Sequence, residues 1–261
     1  AAYATVLSQF VALIWQFWIF SNPKELIHLK RGIYSLRGDL VKNIIGIGIS
    51  PFSMNVCACM VVIFINNQLV RFGGDMSVGA FGIANRIVFI FVMFVMGINQ
   101  GMQPIAGYNY GAQKLDRMMQ VVKLSIIAAT AIMILGWFLA MLAPRQCVSL
   151  FTTDQHLIDT TVHGMQRMMM MLPIVGYQMV ITNFFQCIGK VKISIFLSLS
   201  RQLLFLLPAL ALLPMWFGLD GVWLAQPVSD LIASVVTAWI MIVYMHKFKL
   251  QHKENQYGRQ E

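Results

Sequence analysis

The sequence predicts an all-α integral membrane protein with about seven membrane-crossing helices, and three observations predict it. The chain of 261 residues is 58% hydrophobic and only 11% charged. Soluble domains run near a quarter charged, and one of this length would expose large contiguous apolar patches to water. The apolar residues also fall in long stretches without Lys, Arg, Asp or Glu: 1–23, 43–70, 87–113, 124–144 and 168–189. Finally, the basic residues collect in alternate connections between those stretches, as membrane topology requires.

A transmembrane helix needs about 20 mostly apolar residues. The first four charge-free stretches predict helices at 1–20, 44–67, 78–103 and 122–143. The fifth predicts one at 162–187. The last apolar region, 193–246, is long enough for two, and the Pro214–Gly221 segment reads as the turn between 193–215 and 222–245. The missing initiator Met and the apolar opening lead us to expect a longer N-terminal part.

Orientation follows from charge. One set of connections carries Lys24, Lys30, Arg31, Arg37 and Lys42, then Lys114, Arg117 and Lys123, then Lys190 and Lys192, then the tail's Lys247, Lys249, Lys253 and Arg259. The opposite set carries only Arg71 and Arg145. Positive-inside asymmetry of this kind puts the C-terminus in the cytoplasm. With the basic residues so placed, the net charge of +9 argues for topology, not nucleic acid. The connection 21–42 is long, polar and basic, and reads as a linker between two helical bundles.

Four ionisable residues fall in or near spans: Arg86, Arg167, Arg201 and Asp230. Asp230 sits about nine residues from one end of the last helix, and Arg201 about nine from the opposite end of its antiparallel neighbour. At ~1.5 Å rise per residue both lie roughly 12 Å deep from opposite faces. A core of ~30 Å then leaves them ~6 Å apart in height. The spacing therefore allows an Arg201–Asp230 intramembrane charge pair. It would serve either as a lock between helices or as a carboxylate that takes up a proton during transport.

Helical phase groups other polar residues into stripes. The stripes are Asn85, Met96, Asn99 and Gln103; Arg167, Met171, Gln178 and Thr182; Ser194, Ser198, Arg201 and Pro208; and Gln226, Asp230, Ala233 and Thr237. Polar groups at membrane depth face protein or water-filled space. Interhelical hydrogen bonding is the plain explanation for any one of them. Their recurrence on four helices points to a polar cavity or seam. The substrate-cavity candidates are Ser53, Asn55, Asn85, Met96, Asn99, Gln103, Gln178 and Thr182. Pro51, Pro104, Pro173 and Pro208 are expected to permit kinks. The run Met168–Met171 would cover all sides of an unbroken helix, so part of it should face lipid. Cys57 and Cys59 form a C-x-C with no further ligand nearby and read as small apolar fillers.

No H-E-x-x-H, G-x-S-x-G or Walker A pattern is present, and the five histidines do not cluster. We expect no catalytic residues, no metal site, no cofactor and no nucleic-acid partner.

Two segments carry a resemblance. One is Gly97-Ile98-Asn99-Gln100-Gly101-Met102-Gln103-Pro104-Ile105-Ala106-Gly107-Tyr108-Asn109-Tyr110-Gly111-Ala112, read as running from a span into a cytoplasmic loop. The other is Ser200-Arg201-Gln202 with Pro208, followed by Gly218-Leu219-Asp220-Gly221-Val222-Trp223 and Pro227-Val228-Ser229-Asp230. Both resemble the C-terminal lobe of MATE (multidrug and toxic compound extrusion) transporters of the MepA-like branch. The family-motif loop would comprise Gln103, Pro104, Gly107, Tyr108, Asn109 and Gly111. The resemblance implies two six-helix lobes. On it, 1–20 is the last helix of a missing N-terminal lobe, and 21–42 is a cytoplasmic inter-lobe linker. Residues 43–246 form the C-terminal six-helix lobe, and 247–261 a cytoplasmic tail. It implies efflux of organic, often cationic drugs across a bacterial cytoplasmic membrane in exchange for H⁺ or Na⁺, by alternating access. Some branches carry a Glu in the first helix of this lobe. Here that helix offers only Ser50, Ser53, Asn55, Asn66 and Asn67, so the coupling ion is expected to bind in the missing lobe. A lipid-linked sugar flippase or polysaccharide exporter stays open through Arg86, Arg167 and Arg201, as does a non-transporting membrane scaffold. The half-transporter reading also predicts an exposed, partly polar face on 44–67 and 78–103.

Overall fold

The computed structural model describes residues 2–22 and 38–257, apart from the side chains of 2, 43, 44, 46–51, 53, 54 and 246–257. Nine α-helices account for almost all of it: α1 (Ala2–Phe20), α2 (Gly38–Gly111), α3 (Leu115–Leu142), α4 (Pro144–Ser149), α5 (Gln155–Met168), α6 (Leu172–Cys187), α7 (Val191–Leu199), α8 (Leu207–Phe217) and α9 (Leu219–Tyr257). A π-helical segment, Ser200–Leu206, joins α7 to α8. The chain divides into two compact units, Ala1–Pro51 and Phe52–Glu261.

In the first unit, the described side chains of α1 are all exposed, Trp15 and Trp18 among them with ring centroids 5.8 Å apart. Most of the expected linker, 23–37, lies outside the described residues; its end, 38–42, already belongs to α2.

The second unit holds the core. Among the described residues of both units, five helical stretches are long and apolar enough to cross a membrane, namely α1, α2, α3, the run from α7 through α8, and α9, and the α5–α6 pair, bent by 55°, makes a sixth when taken as one span. The apolar part of α2, Asn55–Gly111, has 57 residues. At ~1.5 Å per residue it is far longer than a ~30 Å core. It breaks at Gly74, whose φ of 70° and ψ of −176° are not helical, so it supplies two crossings. The total is about seven, and the protein is a multi-pass integral membrane protein. The turn expected between 67 and 78 shrinks to this one glycine, because a backbone without Cβ takes positive φ without strain. Beside it, a Cβ on Gly73 would stand 2.7 Å from Leu219 Cδ1, so the break abuts the start of α9.

The expected fifth helix, 162–187, is two helices. Pro173 cannot donate to the carbonyl of Met169 four residues back, and its ring crowds that carbonyl. The chain turns at 169–171 and restarts at Leu172 with Pro173 in the first turn. The methionine run divides as expected of residues on different sides of the chain: Met168 and Met169 are buried, Met171 is half-buried and Met170 is exposed. Pro208 acts similarly four residues beyond Leu204, inside the π segment. Pro104 leaves α2 helical through Gly111. The expected tail, from 247, continues α9 as helix to Tyr257.

Small residues set the helix spacing. A Cβ on Gly176 of α6 would sit 2.9 Å from the Ala129 carbonyl oxygen of α3. One on Gly164 would sit 2.4 Å from the Trp223 ring of α9. Close backbone approach of this kind replaces the hydrophobic effect as the organiser of helices in lipid. α3 packs along α6, α6 and α5 against α9, and α8 against α9. Tyr177 Oη donates to the Ser234 carbonyl at 2.8 Å, tying α6 to α9.

Candidate functional site

Four parts of the second unit converge on one cavity of about 240 Å³. α2 contributes Asn85, Val88, Phe89 and Val92; the bent α5–α6 pair contributes Met168, Leu172, Val175 and Met179; the π segment contributes Arg201, and α9 contributes Gln226 and Asp230. Its walls are mostly apolar, with Asn85, Arg201, Gln226 and Asp230 as its polar groups.

Asp230 is almost wholly buried, and its Oδ1 lies 2.8 Å from Nε of Arg201, which is 29% exposed. The approach is close, yet the N–H does not point squarely at the oxygen, and Oδ1 has no well-aligned hydrogen bond. The contact is an ion pair more than a directed hydrogen bond. The π segment makes it possible. An i→i+5 turn widens the helix and frees carbonyls from the regular ladder. The Arg201 carbonyl accepts the Ser229 hydroxyl at 2.8 Å, so residues 229 and 230 hold both ends of Arg201. Sequence reasoning placed Arg201 and Asp230 at compatible heights; it missed Ser229, although Ser229 adjoins Asp230 in the quoted segment.

A second set of polar groups lies farther toward the C-terminal end of α2, with α3 and α6. Asn99 is buried, and neither amide atom has a partner. Gln178 is buried with Oε1 unpartnered, and Thr130 Oγ1 is likewise unpartnered. One turn beyond Asn99 on α2, Gln103 Nε2 donates to Asn183 Oδ1 at 3.2 Å. Gly136 abuts Phe91, and Gly176 abuts Ala129 and Thr130. Those contacts set α2, α3 and α6 in a register that puts Asn99, Thr130 and Gln178 at one height. Met179, beside Gln178, lines the cavity. Asn183 and Thr130 were not among the sequence candidates; Asn183 follows Thr182 of the expected stripe directly, and Thr130 lies on α3, for which no stripe was drawn.

The remaining candidates are dispersed. Asn55 and Met96 are exposed on α2, and the side chain of Ser53 lies outside the described residues. Thr182 donates its hydroxyl to the Gln178 carbonyl at 2.9 Å. The stripe expected to join Arg167 to Gln178 and Thr182 is broken by the bend. Arg167 sits on α5 and pairs with Asp220 at the start of α9 and with His163. α2 exposes Asn67, Asn85, Arg86 and Gln100 as well as Met60, Ile63, Phe89 and Phe94, so its exposed surface is partly polar.

The segment 103–111 is not a loop, since α2 stays helical to Gly111. Pro104 and Tyr108 are exposed and Asn109 is buried, donating Nδ2 to the Ile105 carbonyl at 2.8 Å. The Asn109 carbonyl accepts Lys114 N at 2.9 Å, and Gln113 (φ 57°) turns the chain into α3. Gly107 lies beside the Cys187 carbonyl, 3.6 Å from the place a Cβ would take, an ordinary contact distance.

With this geometry in view, the chain can be set beside known proteins. A family model described as MatE matches residues 49–210. The multidrug export protein MepA of Staphylococcus aureus (strain MSSA476) is 23% identical over 250 residues, covering 96% of this chain and 54% of that protein. MepA of Staphylococcus haemolyticus (strain JCSC1435) is 24% identical, covering 95% and 54%. The chain thus spans about half the length of these curated relatives. In fold it matches an outward-facing multidrug resistance MATE family transporter of the MOP superfamily, with a TM-score of 0.80 and 22% identity over 95% of this chain and 56% of that one. An inward-facing MATE family transporter of that superfamily matches with a TM-score of 0.81 and 20% identity, over 95% and 58%. The family model covers well over half of the chain, and the chain belongs to the MatE family.

Proposed function

We propose that the chain is one lobe, with a flanking helix, of a secondary transporter that exports organic, often cationic compounds from a bacterial cell in exchange for H⁺ or Na⁺. The observation that carries this reading is the likeness to a multidrug export protein along 96% of the chain. Because the relatives are nearly twice as long, the partner is a preceding helical lobe that forms the other wall of the substrate path. The nearly equal likeness to outward- and inward-facing neighbours supports a lobe that rocks as a body. On this reading the C-terminus is cytoplasmic, the membrane is the cytoplasmic membrane, and no cofactor or nucleic acid takes part.

The coupling carboxylate belongs to the preceding lobe, since 44–67 carries none. One observation favours a second site of coupling here: Asp230 is buried at a cavity and held by a single arginine. The flippase reading is weaker. Of the three arginines that would attract an anionic lipid-linked sugar, Arg167 and Arg201 are already paired with Asp220 and Asp230.

The test is ethidium efflux from cells expressing the native gene, with and without an ionophore that collapses the proton or sodium gradient. Efflux abolished by the ionophore is expected. Efflux indifferent to both gradients, or none beside undiminished transfer of lipid-linked sugar, overturns the proposal. Loss of coupling in a folded Asp230→Asn protein would move the coupling group into this lobe.

A further inference from the structure

Where α2 ends and α3 begins, a surface notch of about 450 Å³ is lined by Ile105, Tyr108, Lys114, Arg117, Gln120 and Leu124, among others. Tyr108 is 73% exposed and Leu124 68%. Lys114 and Arg117 form no ion pair among the described residues, whereas neighbouring Asp116 has an interaction of its own. Lys114 is also the N-cap of α3 and supplies no side-chain cap, so the backbone N–H groups of the first turn receive none from that residue.

Below the notch the surface turns apolar in register. At 100° per residue, Arg117, Gln120, Leu124, Ile127, Leu135 and Phe138 lie on one face of α3. The last four are all exposed. α3 has 28 residues. That is about 42 Å at ~1.5 Å per residue, so a centred ~30 Å core puts Arg117 at its edge and Leu124 inside. Cationic and hydrogen-bonding groups thus sit at headgroup depth, directly above an exposed apolar stripe.

We propose that this notch binds the headgroup of an anionic phospholipid, with Lys114, Arg117 and the N–H groups of α3 holding the phosphodiester and an acyl chain lying along the Leu124–Phe138 stripe. Basic pockets between helices at the membrane surface suit this chemistry, and each basic residue contributes about fivefold in affinity. A free phosphate would find the same cations but no use for the stripe.

The test is binding of phosphatidylglycerol to the purified native protein, read by native mass spectrometry beside phosphatidylcholine. Retention of phosphatidylglycerol over phosphatidylcholine is expected, undisturbed by millimolar inorganic phosphate. Lys114→Gln with Arg117→Gln should weaken it roughly five- to twenty-five-fold. Lys190→Gln with Lys192→Gln, also at a helix start, should leave it unchanged. Leu124→Ser should weaken it without altering charge, and serves if the double variant does not fold. Equal losses in both basic pairs, displacement by phosphate, equal retention of the two lipids, or no retention because another part of the protein covers the notch would each overturn the proposal.

Discussion

Arg201 Nε stands 2.8 Å from Asp230 Oδ1 across two antiparallel helices, with the Ser229 hydroxyl bonded to the carbonyl of that same arginine. Removing one partner strands a charge inside the lobe. Asp230→Asn or Arg201→Gln should each lower stability by on the order of 2 kcal/mol, between the values for exposed and fully buried pairs. The double variant Arg201→Gln/Asp230→Asn should recover much of that loss. Thermal unfolding of the detergent-purified protein measures it; additive losses would show that the pair is not coupled.

Gly176 and Gly82 should respond oppositely to a side chain. At Gly176 a Cβ meets the Ala129 carbonyl at 2.9 Å, backbone that cannot swing aside, so Gly176→Val should abolish folded protein or cut its yield severalfold. Gly82 has nothing within 4 Å of its Cβ site, and Gly82→Ala should be neutral or stabilise by up to about 1 kcal/mol. Size-exclusion profiles of the two variants decide the matter. Matching profiles would mean that the α3–α6 crossing is looser than its geometry.

How much of this was legible beforehand differs by level. Span existence was, because about 20 apolar residues between charges admit few other readings. The pairing of Arg201 with Asp230 was, because height along antiparallel helices follows from residue counts. Bends were only half legible. Pro173 and Pro208 signal them, but the consequence falls four residues upstream, at Met169 and Leu204. The stripe from Arg167 to Thr182 therefore assumed a phase that the chain does not keep. Gln103 with Asn183 lay beyond reach, since a contact between residues 80 apart depends on how α2 and α6 pack.

Cys147 gives a pH-dependent handle outside the spans. Burial in α4 raises its thiol pKa above the ordinary value. Less thiolate is then present at neutral pH, and the thiolate is the nucleophile. In a variant with Cys57, Cys59 and Cys187 replaced by Ala, iodoacetamide should modify Cys147 slowly at pH 7.5. The rate should still be climbing, about tenfold per pH unit, at the pH where it levels off in the denatured protein. Mass spectrometry of timed samples gives the profile. Levelling at the same pH in folded and denatured protein would mean that the thiol is solvated.

Asn99 distinguishes helix packing from a hydrated passage. Its amide is buried at the junction of α2, α3 and α6 with no partner for either polar atom. An unpaired amide at such a place costs about 1–3 kcal/mol unless water satisfies it. Leucine is nearly the same size and needs no partner. If the amide only packs, Asn99→Leu should leave ethidium efflux intact and raise the melting temperature. The nearby Thr130 and Gln178 oxygens, also unpartnered, and the cavity-lining Met179 argue for internal water instead. The expected outcome is therefore a folded Asn99→Leu protein, no less stable than the parent, with efflux reduced severalfold. Asn99→Asp, which keeps a hydratable group, should retain more efflux than Asn99→Leu, and the reverse order would remove the case for water at this junction.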